Sequence, residues 1–350
     1  MARIVSAARA LPPFEVTQEQ AKDFARHHFG RRLKDVERLL PVFSSSRIAS
    51  RRFCVPAEWF ISPKSFQEKN DTYIKWALKL SEEAAVKCLD NAGLSPQEVD
   101  HIIFVSTTGL ATPSIDARLI NSLKMRSDIT RVPVWGLGCV GGAAGLSMAA
   151  RHIKAYPQSR VLLVAVELCG LTFQFDDFGK SNLVATALFG DGAAAVLLSS
   201  DGEGPEIVDS QSTIWYDSLD VMGWNILNEG MQVVFAKAIP AIVAKHARAN
   251  ISRFIAQHNL TLENLKHFLI HPGGAKVVDA YREALGVNCN GLRMSEEILR
   301  ENGNMSSVTV LYILERFLSE GAGGDGDYGI ISALGPGFSS ETLLFRSSKK

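Results

Sequence analysis

Short apolar runs recur along this chain, each followed by a stretch with helical spacing. Ile102-Ile-Phe-Val-Ser106, Val161-Leu-Leu-Val-Ala-Val166, Ala193 to Leu198 and Phe268-Leu-Ile270 are continuous rather than alternating, the pattern of strands covered on both faces. Spacing predicts helices over 70–92, with Gly93 as the stop, and over 115–123, 141–150, 275–285 and 307–319. Residues 18–40 read as two helices broken near Gly30, and 231–257 as one long helical region. Two final strands, 328–334 and 342–345, flank Gly335-Pro-Gly337. Loops are expected over 107–114 and over the aromatic-bearing stretch 168–182. Strands alternating with helices predict an α/β fold with mostly buried sheets. The clearest break in composition, Asp201-Gly-Glu-Gly-Pro205, divides the chain into expected units 1–204 and 205–350.

Composition narrows the function classes. A hydrophobic share of 46% over 350 residues supports a sizeable core. Lys plus Arg and Asp plus Glu both total 37, so no global field draws in nucleic acid or an anionic membrane. No apolar run reaches membrane-spanning length, and the N-terminus lacks a signal-peptide apolar stretch, so no stable membrane insertion is expected. Five scattered cysteines (Cys54, Cys88, Cys139, Cys169, Cys289) form no zinc-type pairs; they read as free thiols in a cytoplasmic protein without a metal. The sequons at Asn250 and Asn304 carry no weight without secretion.

One cysteine stands apart. Cys139 lies in Trp135-Gly-Leu-Gly-Cys-Val-Gly-Gly-Ala-Ala-Gly145, between a β-branched run and a small-residue helix. A thiol at such a junction feels the positive end of the helix dipole, which lowers its pKa and suits covalent acyl chemistry. Two other readings compete. A lone Cys among Gly and Ala is often a small buried hydrophobe. Gly136, Gly138 and Gly141 also fit a dinucleotide fingerprint, with Glu167 as the ribose partner of an NAD-dependent oxidoreductase. His271 ends a strand before Pro-Gly-Gly, where α/β sheets face their ligands. Asn304 sits at a helix start, as an N-cap or as an amide donor to an oxyanion. The order Cys, His, Asn is papain-like, but the flanks of Cys139 lack that protease pattern.

Five motifs in order carry a resemblance: Gly138-Cys139 with Gly141-Gly142, Leu188-Phe-Gly-Asp-Gly-Ala193, His271-Pro-Gly-Gly274, Gly303-Asn-Met-Ser-Ser307 and Gly335-Pro-Gly-Phe338. Together they resemble the type III polyketide synthases, the chalcone-synthase-like members of the thiolase superfamily. The related chain-initiating ketoacyl synthases, which condense once and use an acyl carrier protein, carry different His and Asn segments and are the alternative. The resemblance implies a duplicated thiolase fold, five layers αβαβα with two mixed β-sheets, in a homodimer without cofactor. It implies Cys139, His271 and Asn304 as catalytic residues acting on acyl-CoA and malonyl-CoA. Phe189 matches the family's gatekeeper, and the second gatekeeper position falls on Val233. Thr107, Thr112, Cys169, Thr172, Trp224 and Ser306 match pocket-lining positions, with Trp224 standing where plant members have glycine. For CoA, Arg47, Arg51, Arg52, Gly273 and Lys276 are the candidates.

Val132 to Gly138, Ser181 to Leu183 and Val221 to Trp224 look most like bacterial alkylpyrone and alkylresorcinol synthases. That likeness implies a medium or long fatty acyl starter, two or three malonyl extensions, and release mainly as alkyl α-pyrones. Alkylresorcinols rank second, because aldol closure demands more control from the protein than oxygen attack on the thioester.

Overall fold

The computed structural model describes residues 1–348, the side chain of Cys289 excepted. The first half runs β1 (Arg3–Ala10), β2 (Phe14–Thr17), α1 (Gln18–Gly30), α2 (Pro41–Ser45), β3 (Ser50–Phe53), α3 (Phe66–Asn91), β4 (His101–Val105) and α4 (Ile115–Ser122). It continues with β5 (Thr130–Val134), α5 (Gly141–Ala155), β6 (Val161–Leu168), α6 (Lys180–Leu188) and β7 (Asp191–Ser199). The second half holds β8 (Glu206–Ile214), the hairpin β9 (Met222–Leu227) and β10 (Gly230–Phe235), α7 (Ile239–Ala256), β11 (Leu265–Ile270) and α8 (Ala275–Leu285). It closes with α9 (Arg293–Asn302), α10 (Ser307–Ser319), β12 (Tyr328–Gly335) and β13 (Ser339–Arg346).

Among the described residues, nine strands form one mixed sheet in the order β11-β12-β13-β8-β1-β7-β6-β4-β5. Two separate sheets were the expectation. They join because β8 and β1 lie edge to edge, with Ile4 N donating to Pro205 O and Ile207 N to Ala2 O, both at 2.9 Å. The seam is narrow, a single residue pair, Arg3 with Glu206. On either side of it the strands repeat a pattern. β4 and β6 are parallel, and β7 and β1 follow antiparallel. β11 and β12 are parallel, and β13 and β8 follow antiparallel.

Strand alternation sorts the side chains into layers. Ile103, Val105, Leu163 and Val196 of the first half, with Leu269, Ile331 and Leu343 of the second, close on α5 and α10 in one core. Their neighbours Ile102, Phe104, Leu162 and Leu197 face α3 and α4. Ile270, Ile330 and Leu344 face α7 and α8. Helix, strands, helix, strands, helix is thus the order through the molecule. α10 is buried from Ser307 through Leu314, as a helix covered on all sides must be. α5 reaches it closely because Gly142 has no side chain: a Cβ there would run into the Ser307 carbonyl.

Several elements differ from the sequence reading. The single helical region over 231–257 is instead β10 followed by α7, whose start Pro240 marks. β1, β8 and β9 had no expected counterpart, and the 168–182 loop gives way to α6 from Lys180. α3 starts at Phe66, four residues before the expected start at Asn70, fixed by a capping box between Ser65 and Glu68. Among the described residues no helix is long and apolar enough to cross a membrane.

Candidate active site

The edge strand β5 leads to a short 3-10 turn, Gly138–Val140, that runs straight into α5. Gly138 adopts φ +51°, and a Cβ there would meet Pro336 Cδ at 2.7 Å. Its N–H donates to Thr107 Oγ1 at 3.1 Å, which ties the turn to the loop after β4. Cys139 is held half-buried in this turn. The hydroxyl of Ser306 and the amide of Asn304 interact with its thiol. Ser306 itself holds a strained backbone, φ +49°, at the cap of α10.

His271 and Asn304 come from the second half. His271 follows the last residue of β11, and its backbone N–H donates to Ser332 O at 2.8 Å. Its ring is buried, and neither ring nitrogen has a hydrogen-bond partner. Both ring nitrogens are therefore unengaged by the other described residues. Asn304 Nδ2 donates to Gly273 O at 2.9 Å, and its Oδ1 accepts from Ser306 N at 2.8 Å. It precedes the helix cap and does not itself cap α10, whose N-cap is Ser306. Asn304 therefore touches the thiol on one side and the turn after His271 on the other.

The electrostatics differ from the sequence expectation. Burial pushes the Cys139 thiol up to about 11, with Glu167 adding to the rise and Ser306 and Asn304 opposing it. Burial pushes His271 down to about 4. Desolvation outweighs the helix dipole, so a lone thiolate or a lone imidazolium is disfavoured at neutral pH.

Glu167 lies beneath the site. Its carboxylate accepts from Ser307 Oγ at 2.7 Å and from Thr107 N at 3.0 Å, and burial pushes it up to about 7. Enclosed in this way, Glu167 cannot hold a ribose, which removes the dinucleotide reading. The strand-end acid was visible in the sequence, but its part in bracing the nucleophile turn was not.

A cavity of about 570 Å³ lies beside the site. Cys169, Thr172, Phe189 and Val233, four of the expected pocket residues, line it. Its remaining wall was unforeseen and includes five phenylalanines, Phe14, Phe24, Phe53, Phe60 and Phe173. Of the other expected pocket residues, Thr107 and Ser306 are buried around the thiol rather than on this cavity. Thr112 is exposed before α4 and lines nothing here. Trp224 stands behind the wall, its ring 6.1 Å from that of Phe189, instead of projecting into the space.

The expected CoA residues divide. Arg51 is fully buried, donates to Phe189 O and Gln18 Oε1, and cannot reach a phosphate. Arg47 is exposed and makes two bonds to Asp279, at 2.9 and 2.8 Å. Arg52 pairs with Glu15 at 2.6 Å. Lys276, in the first turn of α8, is exposed and has no ion pair among the described residues. Gly273, at φ +63°, presents its carbonyl to Asn304.

Comparison with known proteins places this geometry. Residues 60–202 match the family model of chalcone and stilbene synthases, N-terminal domain, and residues 206–349 match the C-terminal domain. A Bacillus subtilis protein, "Putative chalcone synthase", is 44% identical over the whole of both chains. The 1,3,6,8-tetrahydroxynaphthalene synthase of Streptomyces peucetius subsp. caesius is 36% identical, over 96% of this chain and 91% of its own. Among solved structures, the 1,3,6,8-tetrahydroxynaphthalene synthase of Streptomyces coelicolor superposes with a TM-score of 0.96 at 28% identity, covering 99% of this chain and 100% of that one. CsyB, solved with CoA-SH, superposes with a TM-score of 0.90 at 25% identity over 99% of this chain and 100% of its own.

Proposed function

This chain belongs to the chalcone and stilbene synthases, the type III polyketide synthase family of acyltransferases, and from that premise we propose that it extends a medium or long fatty acyl starter with malonyl-CoA. The observation that carries the choice of starter is the cavity of about 570 Å³, whose wall includes six phenylalanines and three alanines. An alkyl tail is the ligand such a surface prefers, at about 0.8 kcal/mol per buried methylene.

The residues divide the work as follows. As Cys139 Sγ attacks the starter thioester carbon, its proton passes to the neutral His271 ring. CoA leaves as a thiolate and takes that proton, which leaves an acyl group on sulfur. Malonyl-CoA then loses carbon dioxide, and the electron pair of the broken bond becomes an enolate. His271 N–H and the second N–H of Asn304 Nδ2 donate to its oxygen. The enolate carbon attacks the acyl group on Cys139, a carbon–carbon bond forms, and the sulfur is expelled. Two or three such rounds followed by oxygen attack on the thioester give alkyl α-pyrones; aldol closure gives alkylresorcinols. CsyB's complex with CoA-SH supports a CoA thioester as donor, and exposed Lys276, two residues after Gly274 in the first turn of α8, is our candidate cation for its phosphates.

The boundary we propose lies at 204/205, and the shared strand pattern supports reading the halves as a duplication. Val132 and Trp135, exposed apolar side chains on and just beyond the edge strand β5, support a homodimer.

Incubation with a fatty acyl-CoA and malonyl-CoA, followed by mass spectrometry, tests the reading. Pyrones of two or three extensions are expected. A diketide acid alone would identify a single-condensation enzyme and overturn it.

A further inference from the structure

Arg51 is one of the largest fully buried side chains among the described residues, and no carboxylate among them pairs with it. A buried cation without a counter-ion weakens a fold, so its presence asks for another reason. Its surroundings supply one. Nη1 donates to the carbonyl of Phe189 at 3.2 Å, and Nη2 donates to Gln18 Oε1 at 2.7 Å. Gln18 in turn donates to Ala187 O at 3.0 Å and to Ser46 Oγ at 2.8 Å. The guanidinium also lies 6.0 Å from the centre of the Phe53 ring, on the cavity wall.

The segment Arg51 holds is the mount of Asn304. Asn304 N donates to Leu188 O at 2.8 Å, and Gly190 N donates to Asn304 O at 3.0 Å, a two-bond bridge with Phe189 at its centre. The Arg51 stem packs beneath this bridge, so close that a side chain at Gly190 or Gly303 would meet it. One guanidinium thus grips the carbonyl between the two backbone bonds that place the amide donor.

We propose that Arg51 is a positioning residue for decarboxylation: through the Phe189 carbonyl it sets where the Asn304 amide stands against the malonyl thioester. The inference rests on the functional reading above. The backbone turn of Cys139 is mounted separately, on Thr107 and Pro336, and Asn304 exerts only a minor hold on its thiol, so the two half-reactions should respond differently to loss of the clamp.

Arg51→Met and Arg51→Lys would be compared with wild type in two assays on the whole enzyme. One follows carbon dioxide release from malonyl-CoA; the other follows acylation of Cys139 by a fatty acyl-CoA, by intact mass. Misplacement of a donor by about 1 Å costs on the order of a hundredfold, so decarboxylation by Arg51→Met should fall by about that factor, with acylation little changed. Arg51→Lys, which keeps the charge and donors but not the planar fork, should fall between. Gln18→Ala keeps the cation but removes its second anchor, and should shift decarboxylation in the same direction even if Arg51→Met fails to fold. Parallel loss of both steps, or a lower melting midpoint with both rates intact, would overturn the proposal. A wild-type enzyme that releases no carbon dioxide would instead overturn the parent reading.

Discussion

Replacing His271 with glutamine isolates what the ring does for the sulfur. Burial holds the Cys139 thiol at about 11. At pH 7.5 a thiol so placed is a thiolate in roughly three molecules of ten thousand, a deficit near 5 kcal/mol at about 1.36 kcal/mol per pH unit. In the wild type the deficit is offset if the ring takes the proton, because the two charges then form together and attract. Glutamine fills similar space, donates and accepts hydrogen bonds, and takes no proton. Alkylation by iodoacetamide, followed by intact mass from pH 6 to 10, reads the thiolate directly. Cys139→Ala supplies the background from the other cysteines. The variant rate should rise about tenfold per pH unit without levelling off below pH 10, while the wild type stays reactive near pH 7. The sign follows from the raised thiol: more base means more thiolate, and nothing else in the variant supplies the base. Superimposed profiles, or a variant that levels off near pH 7, would show that the helix terminus ionises the sulfur unaided and would refute the reasoning.

Three further outcomes are expected. Asn304→Ala should slow malonyl-CoA decarboxylation by about a hundred- to a thousandfold, the usual cost of one oxyanion donor, and slow Cys139 acylation much less, because its hold on the thiol is the smallest of those acting there; carbon dioxide release and intact mass check the two steps. Starter selectivity should grow by about fifteenfold in kcat/KM for each two added methylenes until the cavity fills, and Ala185→Leu, which intrudes on the wall, should cut off the longest chains first; competition between acyl-CoA starters measures both. Glu167 is raised to about 7 from an ordinary 4.5, so its contribution to stability is full below about pH 4.5 and is lost as pH rises through 7. Relative to wild type, Glu167→Gln should show a smaller fall in denaturation midpoint between pH 5 and 8, by roughly 3 kcal/mol, and equal falls in both proteins would contradict the buried-carboxyl account.

Local chemistry was legible in the sequence where one short segment carries it. The nucleophile turn, the strand ending at His271 and the Gly-Asn-Met-Ser-Ser turn announce themselves by their glycines and by the apolar runs beside them. Continuous apolar runs also marked the central strands, because both faces of those strands are covered. The half-exposed elements were not legible. β8 shows solvent a row of polar residues, and β10 offers Gln-Val-Val-Phe, which merges with the helix after it when read by spacing alone. The cavity escaped for a different reason. Phe14, Phe24, Phe53, Phe60 and Phe173 lie on five separate elements, and only tertiary packing turns them into one surface. Arg51 shows the limit most plainly: in sequence it is one of three arginines in a polar stretch, and nothing there distinguishes a buried clamp from a solvated charge.

The narrow seam between β1 and β8 carries little of the bond between the halves; α5 and α10 carry most of it, pressed together where Gly142 leaves room. The sulfur rides on the start of one of those helices, and the amide sits just before the start of the other. Neither half owns a reaction. A change anywhere along that helix pair that slides one past the other alters the alignment of Cys139 and Asn304, so the interior packing works as the bench on which the two side chains are collimated, and Gly142 serves that alignment as much as stability.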